Sequence, residues 1–211
     1  MGLFDTKKCA CCGKEAGLIT GLFGNDLAGG GYLCGDCRKL CTPGDLKFSQ
    51  MSLDAVKANM AVAAANRQKG TSEFRETRKL KAGAYRDKNF LSVDENHGWF
   101  MSEAAGDGWV YSLDDIYFYG LVFETAKLEE GQHFSVDTYT CPELPKCPEG
   151  VRITDVKMKI LLLDNELGVN ELNLDLTPSF SSDEGEIRGA YACMHDFVDM
   201  MKAYKASKKK S

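Results

Sequence analysis

No stretch of this 211-residue sequence approaches the ~20 consecutive apolar residues that a bilayer-spanning helix needs. The opening residues, Met1-Gly2-Leu3-Phe4-Asp5-Thr6, also lack the long apolar run of a signal peptide, although they match the short M-G-x-x-x-[ST] pattern of N-myristoylation. No P-loop, no G-x-G-x-x-G after a strand and no H-E-x-x-H occurs. Gly29-Gly30-Gly31 lacks the helix and lysine that phosphate binding requires, so it reads as a turn. Histidine is scarce: His97, His133 and His195 stand in unrelated contexts, with no recognisable Ser/His/Asp or Cys/His order. These absences argue against a membrane-spanning protein and against the familiar catalytic classes. They lead us to expect a cytoplasmic protein without transmembrane segments, and not an enzyme.

Cysteine, by contrast, is abundant: there are nine, six of them within residues 9–41. A secreted chain would pair them as disulfides, but without an export signal tight C-x-x-C pairs read as metal ligands in a reducing compartment. Cys9 and Cys12 form one such pair, Cys34 and Cys37 a second, and 21 residues separate them. Thiolates three positions apart can share one tight turn, whose backbone N–H groups point at the sulfurs. Gly13 suits the left-handed residue that ends such a turn. Two turns facing each other give tetrahedral coordination of one zinc ion by four sulfurs. Four protein thiolates close the coordination sphere, whereas a catalytic zinc keeps a position open for water, so the expected role is structural. The register leaves an alternative: Cys11, inside the first pair, or Cys41, four residues past Cys37, can stand in for a ligand. Taking Cys9 and Cys12 gives C-x2-C-G. A second candidate metal site combines Cys141 and Cys147, which flank a proline loop, with Cys193 and His195. The last two are two apart on an expected helix and so point to different faces.

Met1-Gly2-Leu3-Phe4, Cys9-x-x-Cys12-Gly13, Gly21-Leu22-Phe23-Gly24-Asn25 and Tyr32-Leu33-Cys34-x-x-Cys37 together resemble an uncharacterised bacterial and phage family, domain of unknown function 4428. This is a zinc-ribbon-like N-terminal module. The resemblance covers about 45 residues and implies that Cys9, Cys12, Cys34 and Cys37 are the zinc ligands. It implies no activity, and Cys11 and Cys41 are not part of its motif.

The net charge of −5 hides a polarised chain. Residues 51–90 carry a net +5 and residues 91–150 a net −10, while 1–50 and 151–211 are close to neutral at +1 and −1. Mutual attraction and solubility explain such blocks, but Arg75, Arg78, Lys79, Lys81, Arg86 and Lys88 also form a basic strip that nucleic acid can recognise. The carboxylates at Asp94, Glu95, Asp114, Asp115, Glu129 and Glu130 read as turn residues and solvated edges.

Hydrophobic periodicity divides the rest. Ser52 can cap a helix over 52–69 with a narrow stripe of Leu53, Val56, Met60, Ala63 and Ala64. Strands are expected at 74–81, 89–93, 97–101, 109–113, 117–125, 152–164 and 170–177, with 129–150 as loop. Asp183-x-x-Glu186 has the form of a capping box. Behind it Ile187, Ala190, Tyr191, Met194, Phe197, Val198, Met201 and Tyr204 recur at helical spacing. The expected fold class is α+β, in four parts: a small zinc-ribbon module with four cysteine ligands (1–48), a helical linker (49–71), an antiparallel β-barrel or sandwich similar to pleckstrin-homology-like (PH-like) domains and closed by a C-terminal amphipathic helix (72–206), and a basic tail (207–211). A closed metal site beside a domain without catalytic motifs favours an adaptor that binds a protein partner. Nucleic-acid binding through the zinc module and residues 75–88 is the alternative.

Overall fold

The computed structural model describes residues 7–15, 25–83, 88–102, 108–127, 133–139, 151–177 and 184–209. The chain divides into two compact units, Met1–Gln68 with Asp164–Val169, and Lys69–Leu163 with Asn170–Ser211.

The first unit is small and built largely from turns. Two short antiparallel strands, β1 (Asn25–Asp26) and β2 (Tyr32–Leu33), lead into a single helical turn, α1 (Gly35–Arg38). A longer helix follows, α2 (Leu53–Gln68). Ser52 starts α2 by accepting the Ala55 N–H at 3.2 Å, which satisfies one of the donors a helix start leaves unpaired. Val56 and Ala63 are fully buried, while Ala64 is exposed. Val56 packs in one cluster with Cys9, Leu33, Cys37, Cys41 and Phe48. Within the 49–71 stretch, expected as a helical linker, α2 packs on the cysteine-bearing turns and adds Val56 to a buried cluster whose other members lie in residues 9–48. Its far end is tied as well, since the Arg67 guanidinium donates to the carbonyls of Lys39 (2.8 Å) and Leu40 (3.3 Å) just beyond α1. The turn Asp164–Val169 joins this unit through the Gly44 N–H, which donates to the Leu167 carbonyl at 3.2 Å. A Cβ at Gly44 would sit 2.6 Å from that same oxygen, so the approach requires glycine.

The second unit is antiparallel sheet plus one long helix. Strands β3 (Arg78–Ala82), β4 (Lys88–Asp94), β5 (Trp99–Ser102) and β6 (Val110–Ser112) form a meander in sequence order. Strands β7 (Ile116–Lys127), β8 (His133–Tyr139), β9 (Val151–Leu162) and β10 (Glu171–Asp175) form a second sheet in the order β10-β9-β7-β8. From Val156 to Leu162 of β9 buried and half-exposed residues alternate. Val156, Met158 and Ile160 are fully buried, while Lys157 and Lys159 pair with Glu124 (2.9 Å) and Glu171 (3.2 Å) on neighbouring strands.

The last helix, α3 (Glu184–Lys208), buries Ile187, Ala190, Tyr191, Met194, Phe197, Met201 and Tyr204, as the spacing predicts. It also buries Cys193 and Met200. Each buried Phe or Met contributes ~1.5–3 kcal/mol, so packing rather than helix propensity holds this element. Phe197 meets Tyr119 edge-on with ring centroids 5.1 Å apart.

The structure departs from the sequence expectation in two further ways. Residues 129–150, expected as loop, contain strand β8, and the second unit has eight strands among the described residues instead of the seven expected. Those strands form two separate four-stranded sheets, and no closed barrel is found among the described residues. Asp183 of the expected capping box lies outside the described residues.

Candidate metal centre

The first cysteine turn is set by its backbone. Gly13 N–H donates to the Cys9 carbonyl at 2.8 Å, and Cys9 N–H donates to the Lys14 carbonyl at 2.9 Å. Gly13 has φ +71°, the left-handed conformation that glycine adopts without strain. Ala10 N–H then donates to the Tyr32 carbonyl at 2.8 Å, which stitches this turn to β2. The second cysteine turn begins immediately after β2. Cys34 is the N-cap of α1, and its sulfur accepts the Cys37 N–H at 3.5 Å. Cys34 N–H in turn donates to the Cys9 sulfur at 3.4 Å.

The result is one compact group of four sulfurs. The Sγ atoms of Cys9, Cys12, Cys34 and Cys37 all lie within 4.8 Å of one another. Cys9 and Cys37 are 3.7 Å apart, and so are Cys12 and Cys34. A tetrahedral zinc–tetrathiolate centre with bonds of ~2.3 Å has sulfur–sulfur edges of about 3.8 Å, so the donor set and its spacing fit such an ion. Cys9, Cys34 and Cys37 are buried and Cys12 is exposed at the rim.

The electrostatics are those of crowded thiols. Burial works against a charged Cys9, but the N–H groups of Cys34, Cys12 and Cys11 directed at its sulfur outweigh it and lower its thiol to about 6. Burial, followed by the neighbouring sulfurs, pushes Cys37 far above the ordinary thiol range. A group that easily holds one negative charge resists further ones unless a cation joins it. Outside the group, Lys14 pairs with Asp36 at 2.7 Å and links the two cysteine turns across the surface. Hydrogen bonding to Lys14 holds the Asp36 carboxyl below its usual range. Nothing in the sequence marks this pair, because the contact exists only once the two turns face each other.

Cys11 and Cys41 stand apart from the group. The Cys41 thiol donates to the Cys37 carbonyl at 3.7 Å instead, and burial raises the pKa of both thiols. Among the described residues, the four cysteines are the one group of three or more His, Cys, Asp or Glu side chains close enough to share an ion. Of the second set of candidates, Cys193 is fully buried in the packing of α3 and His195 is exposed, while Cys141 and Cys147 lie outside the described residues.

The other candidates are dispersed. The His97 ring donates through Nδ1 to Asp94 at 2.7 Å and stacks on Trp99 with centroids 4.6 Å apart. Asp94 is fully buried and also accepts the N–H groups of Arg75 (2.8 Å) and His97 (3.2 Å), so the pair closes a hairpin turn. In the basic strip, Arg78 pairs with Glu95 (3.1 Å) and Lys79 with Glu76 (3.2 Å). Arg86 lies outside the described residues. No helix among the described residues is long and apolar enough to cross a membrane. Comparison with protein families, with curated proteins and with solved structures finds no match to this chain.

Proposed function

We propose that this chain is a zinc-stabilised interaction module of the cytoplasm, in which Cys9, Cys12, Cys34 and Cys37 hold one structural zinc ion and the β-rich unit offers surface to a protein partner. The observation that carries the metal reading is the sulfur geometry: four thiols within 4.8 Å, with paired separations of 3.7 Å. Four thiolates leave no open coordination position, which argues for a folding role rather than a catalytic one. The same four positions are those implied by the resemblance to the domain of unknown function 4428 family. Two four-stranded antiparallel sheets followed by a long C-terminal helix support reading the second unit as pleckstrin-homology-like. Nucleic-acid binding through residues 75–88 has less support, because Arg78 and Lys79 are engaged by carboxylates.

Two measurements on the full chain test this reading. Elemental analysis of protein purified without added metal should find one equivalent of zinc; less than about half an equivalent, with Cys9 readily alkylated, would remove the metal assignment. Affinity capture from the native host, with and without nuclease, should recover a nuclease-resistant protein partner. Recovery that collapses with nuclease would transfer the assignment to nucleic acid.

A further inference from the structure

The second unit carries a groove of about 580 Å³ between the start of β7 and the outer side of α3. Its β7 wall is three consecutive aromatics, Tyr117, Phe118 and Tyr119. The β7–β9 register shifts between Ile116 and Phe118, which disturbs the strict alternation of the strand at Tyr117. Tyr117 is 59% exposed and Phe118 is 37% exposed, an unusual state for two adjacent large rings.

The α3 wall changes character along its length. Met194 and Val198 line the groove, and Lys202 and Lys205 line it further along the helix. From Tyr191 to Lys205 this wall runs for about 21 Å at 1.5 Å per residue. The groove is thus mainly apolar at one end, where the exposed His195 also lines it, and cationic at the other. Asp199 is the carboxylate on its rim, and its pairing with Lys202 is long, at 3.8 Å, and exposed. Lys205 makes no ion pair among the described residues.

The walls are braced independently of any ligand. Phe197 packs edge-on against Tyr119, and beyond the groove Tyr204 and Lys208 both donate to Asp114, at 3.0 and 2.9 Å. A ligand would therefore meet a formed site, without the loss of affinity that ordering it would bring.

From this geometry we infer that the groove binds an acidic, amphipathic peptide segment of a partner protein, with an aromatic or aliphatic side chain against Phe118, Tyr119, Met194 and Val198 and carboxylates against Lys202 and Lys205. The charge gradient argues for an anionic occupant, and the length suits a track of about six extended residues better than a compact small molecule. The inference rests on the interaction-module reading and adds the site and the chemistry of its partner.

The test uses the full chain and a fluorescein-labelled peptide of about twelve residues with leucine and phenylalanine in one half and glutamate in the other, read by fluorescence anisotropy. The control peptide replaces each glutamate by lysine, and phosphatidylserine vesicles are the third probe. The acidic peptide should bind saturably, weaken as salt is raised, and lose about tenfold in affinity with Lys205→Glu and with Phe118→Ala. Both positions are at the surface, and unchanged thermal unfolding of each variant shows that the fold is intact. Equal binding of both peptides, or binding of vesicles but not peptide, would overturn the proposal. Capture from the native host with Lys205→Glu separates the two readings. A partner retained by this variant refutes the groove but leaves the module reading standing, whereas no partner with either protein refutes both.

Discussion

Asn59 and Thr42 satisfy one another reciprocally. Asn59 Oδ1 accepts the Thr42 N–H at 3.0 Å, and its Nδ2 donates to the Thr42 hydroxyl at 2.9 Å. Thr42 is buried just past the second cysteine turn, and Asn59 lies in the middle of α2. The pair is therefore the polar counterpart of the apolar cluster that joins Val56 to the cysteines. Truncating Asn59 leaves a buried hydroxyl and a backbone N–H without this partner, at a cost of ~1–3 kcal/mol. Asn59→Ala should lower the stability of the first unit and, because metal affinity is coupled to folding, should also release metal at a lower chelator concentration. If α2 were an independent linker, the variant would unfold and lose metal as the wild type does.

The sulfur geometry separates ligands from bystanders. Cys37→Ser should abolish stoichiometric zinc and expose the cluster around Leu33 and Val56 to solvent, seen as faster amide exchange in residues 7–68. Cys41→Ser should keep the zinc, since the Cys41 thiol is directed at the Cys37 carbonyl and a hydroxyl can make the same contact. Elemental analysis of the two purified variants distinguishes them. Zinc lost from both, or retained in both, contradicts the assignment of Cys37 and not Cys41 to the ion.

How much of this is legible in the sequence depends on how local each signal is. The two cysteine pairs and Gly13 can be read because each turn is made by four or five adjacent residues. The α3 stripe can be read because seven of its eight apolar positions are buried on one regular period, with Val198 half-exposed beside the groove. Cys193 and Met200 escape that reading because the helix is covered over a wider arc than the stripe. Strand β8 escapes it because three prolines and a run of carboxylates dominate the 129–150 window, although Phe134-Ser135-Val136-Asp137 carries an alternation. The role of α2 is hidden for a different reason. Its apolar stripe is narrow, and the rest of its attachment is polar, through Asn59 and Arg67, whose partners are distant in sequence. The capture of Asp164–Val169 by Gly44 is a backbone contact and leaves no side-chain pattern.

Asp94 makes acid sensitivity a test of the β4–β5 turn. Burial opposes its ionisation, but the N–H of Arg75 and the ring and backbone N–H of His97 hold its carboxyl below the ordinary value. A depressed folded-state pKa contributes stability that is present above the unfolded value of ~3.9 and is lost as pH falls through the folded one. Asp94→Asn replaces one accepting oxygen by a donor that faces other donors, a change of ~1–3 kcal/mol at neutral pH. The stability gap between wild type and variant should therefore be largest near pH 7 and shrink below about pH 4, first as Asp94 of the unfolded chain takes up its proton and then, lower still, as the folded carboxyl does. Denaturant unfolding at several pH values measures it, and a gap unchanged between pH 7 and pH 3 would contradict the account.

The contact of Gly98 with Tyr204 gives the sharpest coupling. Gly98 has φ +70°, and its carbonyl accepts the Leu113 N–H at 2.8 Å. A Cβ there would collide with the Tyr204 hydroxyl and come within 3.0 Å of the ring carbon that bears it. That hydroxyl is the donor to Asp114 at 3.0 Å, so it cannot move away without breaking the bond that holds the end of α3. Gly98→Ala alone should be destabilising beyond the ~1 kcal/mol expected from its backbone conformation, because both penalties fall on one residue. Tyr204→Phe alone loses a hydrogen bond worth ~0.5–1.5 kcal/mol. Together they should be less than additive, since removing the hydroxyl removes both the bond and the nearest part of the clash. A double-mutant cycle by thermal or denaturant unfolding reads this directly. Strict additivity would mean that the backbone of the β4–β5 turn yields before the side chain of α3 does.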